Sequence, residues 1–379
     1  MDEPHVINDG VVAWDGETIV YAGPGDGFDG SLDETYEGCT IVPGFVDCHT
    51  HLPFFGWRED EWEARLAGQT YRDLQGRGGG IARSARMLAE ASDDMVLDFC
   101  RPLMAEMLAH GTTALEMKTG YGLSVDAELR QARLARALAD EAPQTCTVTL
   151  LACHAVPEGV SREEWVRVAC EELIPKALAE GFIDAVDVYV EDIAFSVADL
   201  ERVAESASEA GLPLRCHAEQ LGRTGSAEAA SKLGARSADH LNNVDASGIA
   251  ALAASHTVGV LLPASTFSLR MRPPPVAELI EAGVHLAVGT DFNPGTSPVL
   301  SMPEAIAMAC SLYGLGPKQA LTGATINGAW VLGLHDRLGS LEPGKRADFL
   351  VLDGEDVRML AYRPGHNPVR RVFVGGKAA

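Results

Sequence analysis

Eight short apolar runs alternate with longer amphipathic segments through the middle of the chain, and this alternation constrains the fold most strongly. The first run ends at Val46, and the others span residues 112–117, 145–152, 185–190, 212–216, 237–239, 258–262 and 285–289. The segments between them, at 82–109, 125–139, 162–179, 197–210 and 224–232, have the residue spacing of helices with one buried face. Eight alternating units predict an α/β protein with a (β/α)8 TIM-type barrel rather than an open doubly wound sheet.

Both ends of the chain have a different pattern, in which strand-like stretches are separated by Gly- and Pro-rich turns. These stretches lie at 10–14, 18–22, 40–42, 339–352 and 369–376. Neither end has enough apolar residues to form a core alone, so we expect the two to combine in one small β-sandwich. The predicted domains are therefore a composite sandwich of residues 1–43 and 338–379, and a barrel of residues 44–337.

Charge and composition exclude several classes of partner. The 379 residues carry a formal net charge of −24, which disfavours binding to a nucleic-acid backbone. No run of eighteen apolar residues or signal-peptide pattern is present, so we expect a cytoplasmic protein without membrane contact. The eight cysteines show no CxxC spacing, which is typical of reduced thiols.

Polar or charged residues follow seven of the eight predicted strands. His49 and His51 follow the first strand, where alternation would turn both imidazoles to the same side. The remaining strand ends carry Lys118 and Tyr121 (second), His154 (third), Glu191 (fourth), His217 (fifth), His240 (sixth) and Asp291 (eighth). Taken alone, His49 and His51 could equally be a hydrogen-bonded pair of histidines at a strand end. Seven such strand ends would be costly to bury without a ligand, and together they favour a metal site.

Three imidazoles and one carboxylate can hold a metal ion that lowers the pKa of water toward neutrality, which is the chemistry of a hydrolase. On this interpretation His49, His51 and His217 are the nitrogen ligands. Asp291 is the oxygen ligand and also accepts a proton from the attacking water. His240, one strand away from His217, is placed to polarise a carbonyl group or stabilise an oxyanion.

These residues, in this order, resemble the amidohydrolase superfamily. The resemblance is carried by PGFVDCHTH (43–51), WRED (57–60), KTGYGL (118–123), HAVP (154–157), HAEQ (217–220), SADH (237–240) and DFNPGTSP (291–298). It extends over nearly the whole chain and implies one zinc or iron ion on His49, His51, His217 and Asp291. It also implies that Lys118 is not a carbamylated bridge between two metal ions, a role that a strand-end lysine can have in superfamily relatives.

Within the superfamily the chain is closely similar to a branch that acts in histidine degradation. This resemblance implies a small anionic substrate, namely a cyclic amide with a propanoate side chain that the enzyme opens. By similarity, the substrate-binding residues are Arg58, Tyr71, Tyr121, His154, Gln220, Asn293, Gly295 and Thr296. A surface ion pair with Glu59 or Asp60 is the alternative role for Arg58. The resemblance also implies a homodimer.

Two other functions stay open at this point. One is a related amidohydrolase that opens a different small cyclic amide or deaminates a heterocycle. The other is a barrel that binds a metal or small ligand without turnover. The aromatic segment FFGW (54–57) is bulkier than the usual family sequence and bears on the choice of substrate.

The Gly-rich stretch at 75–81 precedes a predicted helix and could in principle hold a phosphate. It lacks the Lys-Ser/Thr pair of a P-loop and follows no clear strand. We therefore expect a flexible loop or the edge of a lid.

Overall fold

Eight parallel strands form the centre of the molecule in the computed structural model, which describes residues 4–379. Each strand pairs with the next along the chain. They are β4 (Phe45–Asp47), β5 (Thr112–Lys118), β6 (Thr145–Cys153), β7 (Ala185–Val190), β8 (Leu214–Ala218), β9 (Ser237–His240), β10 (Val258–Leu261) and β11 (Leu286–Val288). The predicted barrel is confirmed, and the strand boundaries differ from the prediction by only a few residues.

The barrel closes just beyond the ends of β4 and β11. Thr50 and Phe292 form a parallel bridge there, and the backbone amides of His51 and Asp291 donate to Phe292 and His49, each at 2.9 Å. At the same seam, Asp47 accepts hydrogen bonds from the backbone and hydroxyl of Thr290 at 3.0 and 2.6 Å. The contacts that close the barrel therefore also bring the first and eighth strand ends together.

Sixteen α-helices are present within residues 4–379, most of them between barrel strands. They are α1 (Glu59–Leu66), α2 (Tyr71–Gly76), α3 (Ile81–Glu90), α4 (Asp93–Ala109), α5 (Val125–Glu141), α6 (Arg162–Val168), α7 (Ile174–Ala179), α8 (Val197–Glu209), α9 (Ser226–Lys232), α10 (Ala246–Ala253), α11 (Pro263–Leu269), α12 (Val276–Glu281), α13 (Met302–Tyr313), α14 (Pro317–Gly323), α15 (Ile326–Leu332) and α16 (Met359–Tyr362). A 3₁₀ turn spans Gly25–Gly27, and a π-helical segment, Ala169–Leu173, joins α6 to α7.

Serine caps explain several helix starts. The side chains of Ser124, Ser161 and Ser196 each accept a hydrogen bond from a backbone amide in the first turn of α5, α6 and α8. Ser92 does the same for α4. Because Ala91 is extended and Ser92 begins a new helix, the single amphipathic segment expected at 82–109 is wrong, and two helices occupy it.

The two ends of the chain form a second β-structure. β3 (Cys39–Pro43) pairs with β12 (Phe349–Asp353), which pairs with β13 (Val369–Val374) and then β14 (Lys377–Ala378). A hairpin of β1 (Gly10–Asp15) and β2 (Thr18–Pro24) packs on this sheet through a core that includes Ile19, Phe349 and Phe373. The composite β-sandwich is confirmed, whereas the exact domain boundaries stay a prediction.

Gly44 separates the two structures. The apolar run at 39–46 divides there, with Cys39–Pro43 in the terminal sheet and Phe45–Asp47 in the barrel. A Cβ atom on Gly44 would overlap the side chain of Thr113 on β5. The close crossing of the two chain segments therefore requires glycine.

Within the described part of the chain, no helix is long and apolar enough to cross a membrane. The eight cysteines, all of which lie in that part, are free thiols.

Candidate active site

The carboxyl ends of the barrel strands surround one polar cavity. Its lining includes residues from seven strand ends and from the segments that cover them, namely His51, Arg58, Tyr71, Ile81, Tyr121, His154, Tyr189, His217, Gln220, His240, Asp291, Asn293 and Thr296. Every predicted substrate-binding residue except Gly295 is in this set. Ile81 is the last residue of the Gly-rich stretch at 75–81, so the end of that stretch borders the cavity.

Four predicted metal ligands converge at the base of the cavity. Nε2 of His51 and Nε2 of His49 lie 3.2 and 3.6 Å from Oδ1 of Asp291. The rings of His49 and His217 are 4.5 Å apart between centroids. His49, His51 and Asp291 form one group of potential ligand atoms within 4.8 Å of one another, and His49, His217 and His240 form a second.

The chemistry of these donors fits a cation. Nε2 of both His49 and His217 is buried and has no hydrogen-bond partner among residues 4–379. Burial lowers the pKa of His49 well below its usual value and also lowers that of His51, so both imidazoles are neutral near pH 7. Neutral imidazoles with free lone pairs beside a carboxylate form a donor set that metal ions prefer.

Two buried carboxylates that sequence reasoning missed hold the ligand histidines from behind. Oδ2 of Asp239 lies 2.7 Å from Nδ1 of His49, and Oδ2 of Asp187 lies 3.0 Å from Nδ1 of His217. The hydrogen bond with Asp239 favours the His49 tautomer that carries its proton on Nδ1 and leaves Nε2 free. Asp187 approaches His217 at ion-pair distance, close enough to favour the same tautomer there after a small adjustment of the ring. The available signal was an aspartate inside each of two buried apolar strands, β7 and β9.

Lys118 is fully buried beneath this centre rather than exposed in the cavity. Its Nζ lies 2.6 Å from Asp187 and 2.9 Å from Glu116. Glu191, at the end of β7, also lies outside the cavity lining and accepts a hydrogen bond from the amide of Leu221 at 2.8 Å.

The loop after β11 presents Asp291 to the centre. Asp291 has a φ of 55°, a left-handed conformation that is unfavourable for a non-glycine residue. The side chain of Asn293 supports it by donating to the backbone oxygen of Asp291 at 2.7 Å. The amide oxygen of Asn293 accepts from the amides of Gly295 and Thr296 at 3.0 and 2.7 Å. The hydroxyl of Thr296 donates to the same oxygen at 3.0 Å. The predicted donors Asn293, Gly295 and Thr296 are therefore all engaged within the loop.

Arg58 enters the cavity from the start of α1 and is only 2% exposed. Its backbone amide donates to Pro294 at 3.0 Å, and its nearest carboxylate, Glu61, lies 3.8 Å from Nε. Nε and Nη1 of Arg58 have no hydrogen-bond partner in the described residues. The alternative of a surface ion pair is wrong, because the side chain is buried and Asp60 binds Arg83 instead.

The bulky segment after the first strand lies behind the cavity. Phe54 is fully buried and packs against Trp57, Phe99 and Phe292 with ring centroids 5.4 to 5.8 Å apart. None of these four rings is among the lining residues in the part of the chain that the structure describes. The aromatic segment thus supports the wall without narrowing the site.

His154 and Gln220, which also line the cavity, are held in defined orientations. His154 stacks on His51 with an interplanar angle of 15°, and its Nδ1 lies 3.2 Å from the backbone oxygen of Gly120. The hydroxyl of Tyr189 donates to Oε1 of Gln220 at 3.0 Å. This contact directs the amide nitrogen of Gln220 away from Tyr189. Tyr189 was missed from the sequence, where it lies inside the apolar run of β7.

Comparison with known proteins agrees with this geometry. The model of the amidohydrolase family matches residues 40–379. Proteins named imidazolonepropionase are similar over almost the whole chain. That of Rhizorhabdus wittichii is 42% identical and the match covers 98% of this chain and 94% of the relative. That of Deinococcus radiodurans is 42% identical, with 99% and 93% covered.

The chain belongs to the amidohydrolase family. This confirms the membership inferred from the motifs at the strand ends. Solved structures share the fold at lower identity. An adenosine deaminase from Xanthomonas campestris with bound zinc has a TM-score of 0.73 and 22% identity, covering 99% of this chain and 89% of that one. A 5-methylcytosine deaminase from Klebsiella pneumoniae has a TM-score of 0.76 and 18% identity, covering 97% and 93%.

Proposed function

We propose that this protein is an imidazolonepropionase, which hydrolyses the ring amide of 4-imidazolone-5-propanoate to N-formimidoyl-L-glutamate. The observation that carries the proposal is the presence, in one cavity, of a His and Asp ligand cluster and a buried arginine with unengaged donors among residues 4–379. The first can support hydrolysis, and the second can bind a carboxylate. The near full-length similarity to imidazolonepropionases supports the same substrate.

We assign His49, His51, His217 and Asp291 as ligands of one divalent ion, either zinc or iron, since imidazole and carboxylate suit both. Such an ion supplies Lewis-acid chemistry by lowering the pKa of water and polarising a carbonyl group.

Asp291 is the residue that moves the proton. Although burial raises the pKa of Asp291, the hydrogen bond with His51 and the neighbouring imidazoles outweigh burial and hold this pKa below its usual value. The ionised carboxylate can accept a proton from the attacking water. As the water oxygen bonds to the ring carbonyl carbon and the carbon–nitrogen bond breaks, Asp291 returns that proton to the departing ring nitrogen.

His240 stabilises the carbonyl oxygen while negative charge develops on it. Burial lowers the pKa of His240 to about 3, so the ring is neutral and acts as a hydrogen-bond donor. Its Nδ1 atom is buried and has no partner in the described range 4–379.

The remaining cavity residues orient the substrate. We assign the propanoate to Arg58, with Tyr71, Tyr121 and Thr296 beside it, because a guanidinium can bind a carboxylate through two parallel hydrogen bonds. His154 faces the carbonyl side of the ring, and Gln220 faces a ring nitrogen. Asn293 and Gly295 serve by shaping the loop that holds Asp291 and Arg58, since their polar groups bind each other.

The test is a substrate panel with metal-loaded protein and the variants Arg58→Ala and Asp291→Asn. We expect turnover of 4-imidazolone-5-propanoate, a 10²- to 10⁴-fold lower kcat in Asp291→Asn, and a raised KM in Arg58→Ala. An uncharged analogue should lose little in Arg58→Ala, so equal losses on both compounds would contradict the carboxylate role.

Two other results would replace the proposal. Turnover of other cyclic amides or aminated rings, but not of this substrate, would indicate a related amidohydrolase. Metal binding with no turnover of any ring would indicate a binding protein. From the family resemblance we also propose that the protein is a cytoplasmic homodimer. Light scattering of the purified protein would test whether it is a dimer.

A further inference from the structure

Lys118 lies at the centre of a buried layer of charged residues directly beneath the candidate metal centre. The layer contains the carboxylates of Glu116, Asp187 and Asp239 and the cations of Lys118 and Arg215, each at most 1% exposed. Nζ of Lys118 lies 2.6 Å from Asp187, 2.9 Å from Glu116 and 3.8 Å from Asp239. Arg215 pairs with Glu116 from the other side.

Two of these carboxylates contact the imidazoles that would bind the ion. The same Oδ2 atom of Asp187 that accepts from Lys118 also lies 3.0 Å from Nδ1 of His217. Oδ2 of Asp239, 3.8 Å from the ammonium, lies 2.7 Å from Nδ1 of His49. The ammonium group of Lys118 therefore lies close to both carboxylates that contact His49 and His217, two candidate ligands from different strands.

The backbone of Lys118 contacts the segment that carries His49 and the third candidate histidine ligand, His51. Its amide donates to the backbone oxygen of Thr50 at 3.0 Å, between His49 and His51. Lys118 thus contacts the support of every candidate histidine ligand. Its surroundings also oppose carbamylation, because a negatively charged carbamate would face Asp187 and Glu116 at hydrogen-bond distance.

We propose that Lys118 is a positioning residue for the metal centre, whose ammonium group holds Asp187 and Asp239 so that these carboxylates orient His217 and His49. The inference rests on the metal-dependent hydrolysis proposed above. Removing the ammonium leaves two adjacent carboxylates without the charge that lies between them, so they rotate toward Arg215 or apart. The imidazoles then lose the contacts that direct their Nε2 atoms.

The experiment measures the dissociation constant of Zn²⁺ by competition with a chelator, without using turnover. We expect Lys118→Met and Asp187→Asn each to bind Zn²⁺ 10- to 100-fold more weakly than the wild type. Because Lys118 acts through Asp187, the double variant should be weakened by less than the product of the two single effects. The control is Asp348→Asn, a buried carboxylate of the terminal β-structure that accepts from Gly375 at 2.7 Å. It should bind Zn²⁺ as the wild type does.

A second variant guards against loss of folding. Lys118→Met combined with Glu116→Gln removes one charge of each sign and keeps the net charge of the layer. The inference would be overturned if folded Lys118→Met, or folded Lys118→Met combined with Glu116→Gln, bound Zn²⁺ within twofold of the wild type. Failure of the proposed function looks different, because the wild type would then bind Zn²⁺ without turning over the substrate while the affinity ranking of the variants held.

Discussion

The guanidinium of Arg58 lies where a side chain on Gly295 would have to be, since a Cβ atom there would overlap Nη2, Nε and Cζ of Arg58. Arg58 precedes α1 and Gly295 is in the loop after β11, so the contact joins the cover of the cavity to the loop that carries Asp291. Similarity assigned Gly295 to substrate binding, but this position requires glycine because the guanidinium of Arg58 leaves no room for a side chain.

We predict that Gly295→Ala displaces Arg58 and lowers kcat/KM on the carboxylated substrate by on the order of 10²-fold, mainly through KM. Zn²⁺ affinity should not change, because the metal ligands lie elsewhere. Gly10→Ala is the control, since its new methyl group would have only ordinary contacts of 3.4 Å or more in the terminal hairpin. An unchanged KM in Gly295→Ala would show that Arg58 does not bind the carboxylate.

Tyr189→Phe should lower kcat/KM by roughly 5- to 10-fold, the effect of one hydrogen bond of about 1 kcal/mol, because Gln220 loses the partner that orients its amide. Steady-state kinetics of Tyr189→Phe, Gln220→Ala and the double variant check this. The double variant should lose little beyond Gln220→Ala, and fully additive losses would contradict the coupling. Tyr362→Phe, at a residue that is 79% exposed, is the matched control.

Glu191→Gln should change how stability depends on pH. Burial raises the pKa of Glu191 from 4.5 to about 7. Between pH 4.5 and 7 the carboxyl of Glu191 is ionised in the unfolded chain but still protonated in the folded protein. The free energy of unfolding of the wild type therefore falls as pH rises, by at most about 3 kcal/mol once the pH exceeds 7. The free energy of unfolding of Glu191→Gln should therefore rise relative to the wild type across pH 4.5–7.

Urea denaturation at several pH values measures this difference. Glu201→Gln, on the exposed side of α8, should give a flat difference curve. A flat curve for Glu191→Gln as well would contradict the assigned cost of burying that carboxylate.

Metal removal should destabilise the protein, because the buried Nε2 atoms of His49 and His217 lack protein partners in the range 4–379. At a Zn²⁺ concentration 100 times the Kd, binding adds about 2.7 kcal/mol to the free energy of unfolding. Calorimetry before and after chelation should show a lower Tm without metal. His217→Ala should abolish this response, whereas His256→Ala, an exposed histidine, should keep it. A Tm that is insensitive to Zn²⁺ in the wild type would count against the site.

Much of the fold followed from local patterns. Alternating short apolar runs and amphipathic segments predicted the barrel because strands and helices bury side chains with different periods. The sequence also predicted a terminal strand at 40–42 and a barrel that begins at residue 44, but it did not show that a side chain at Gly44 would overlap Thr113. The break at Ala91 was missed because alanine continues the apolar pattern while its extended backbone ends α3.

For the site, the residue order alone was enough to place His49, His51, His217, His240 and Asp291 together, because parallel barrel strands deliver their carboxyl ends to one side. The sequence did not show which nitrogen and oxygen atoms of the site lack hydrogen-bond partners, because the partners of the engaged atoms lie far away along the chain. Asp239 meets His49 across 190 positions and Lys118 meets Asp187 across 69, and no local pattern reports such contacts. Packing in three dimensions assigned Lys118 to the layer below the centre, engaged Asn293 and Gly295 within their own loop, and left the guanidinium of Arg58 buried without a carboxylate at hydrogen-bond distance in the described residues.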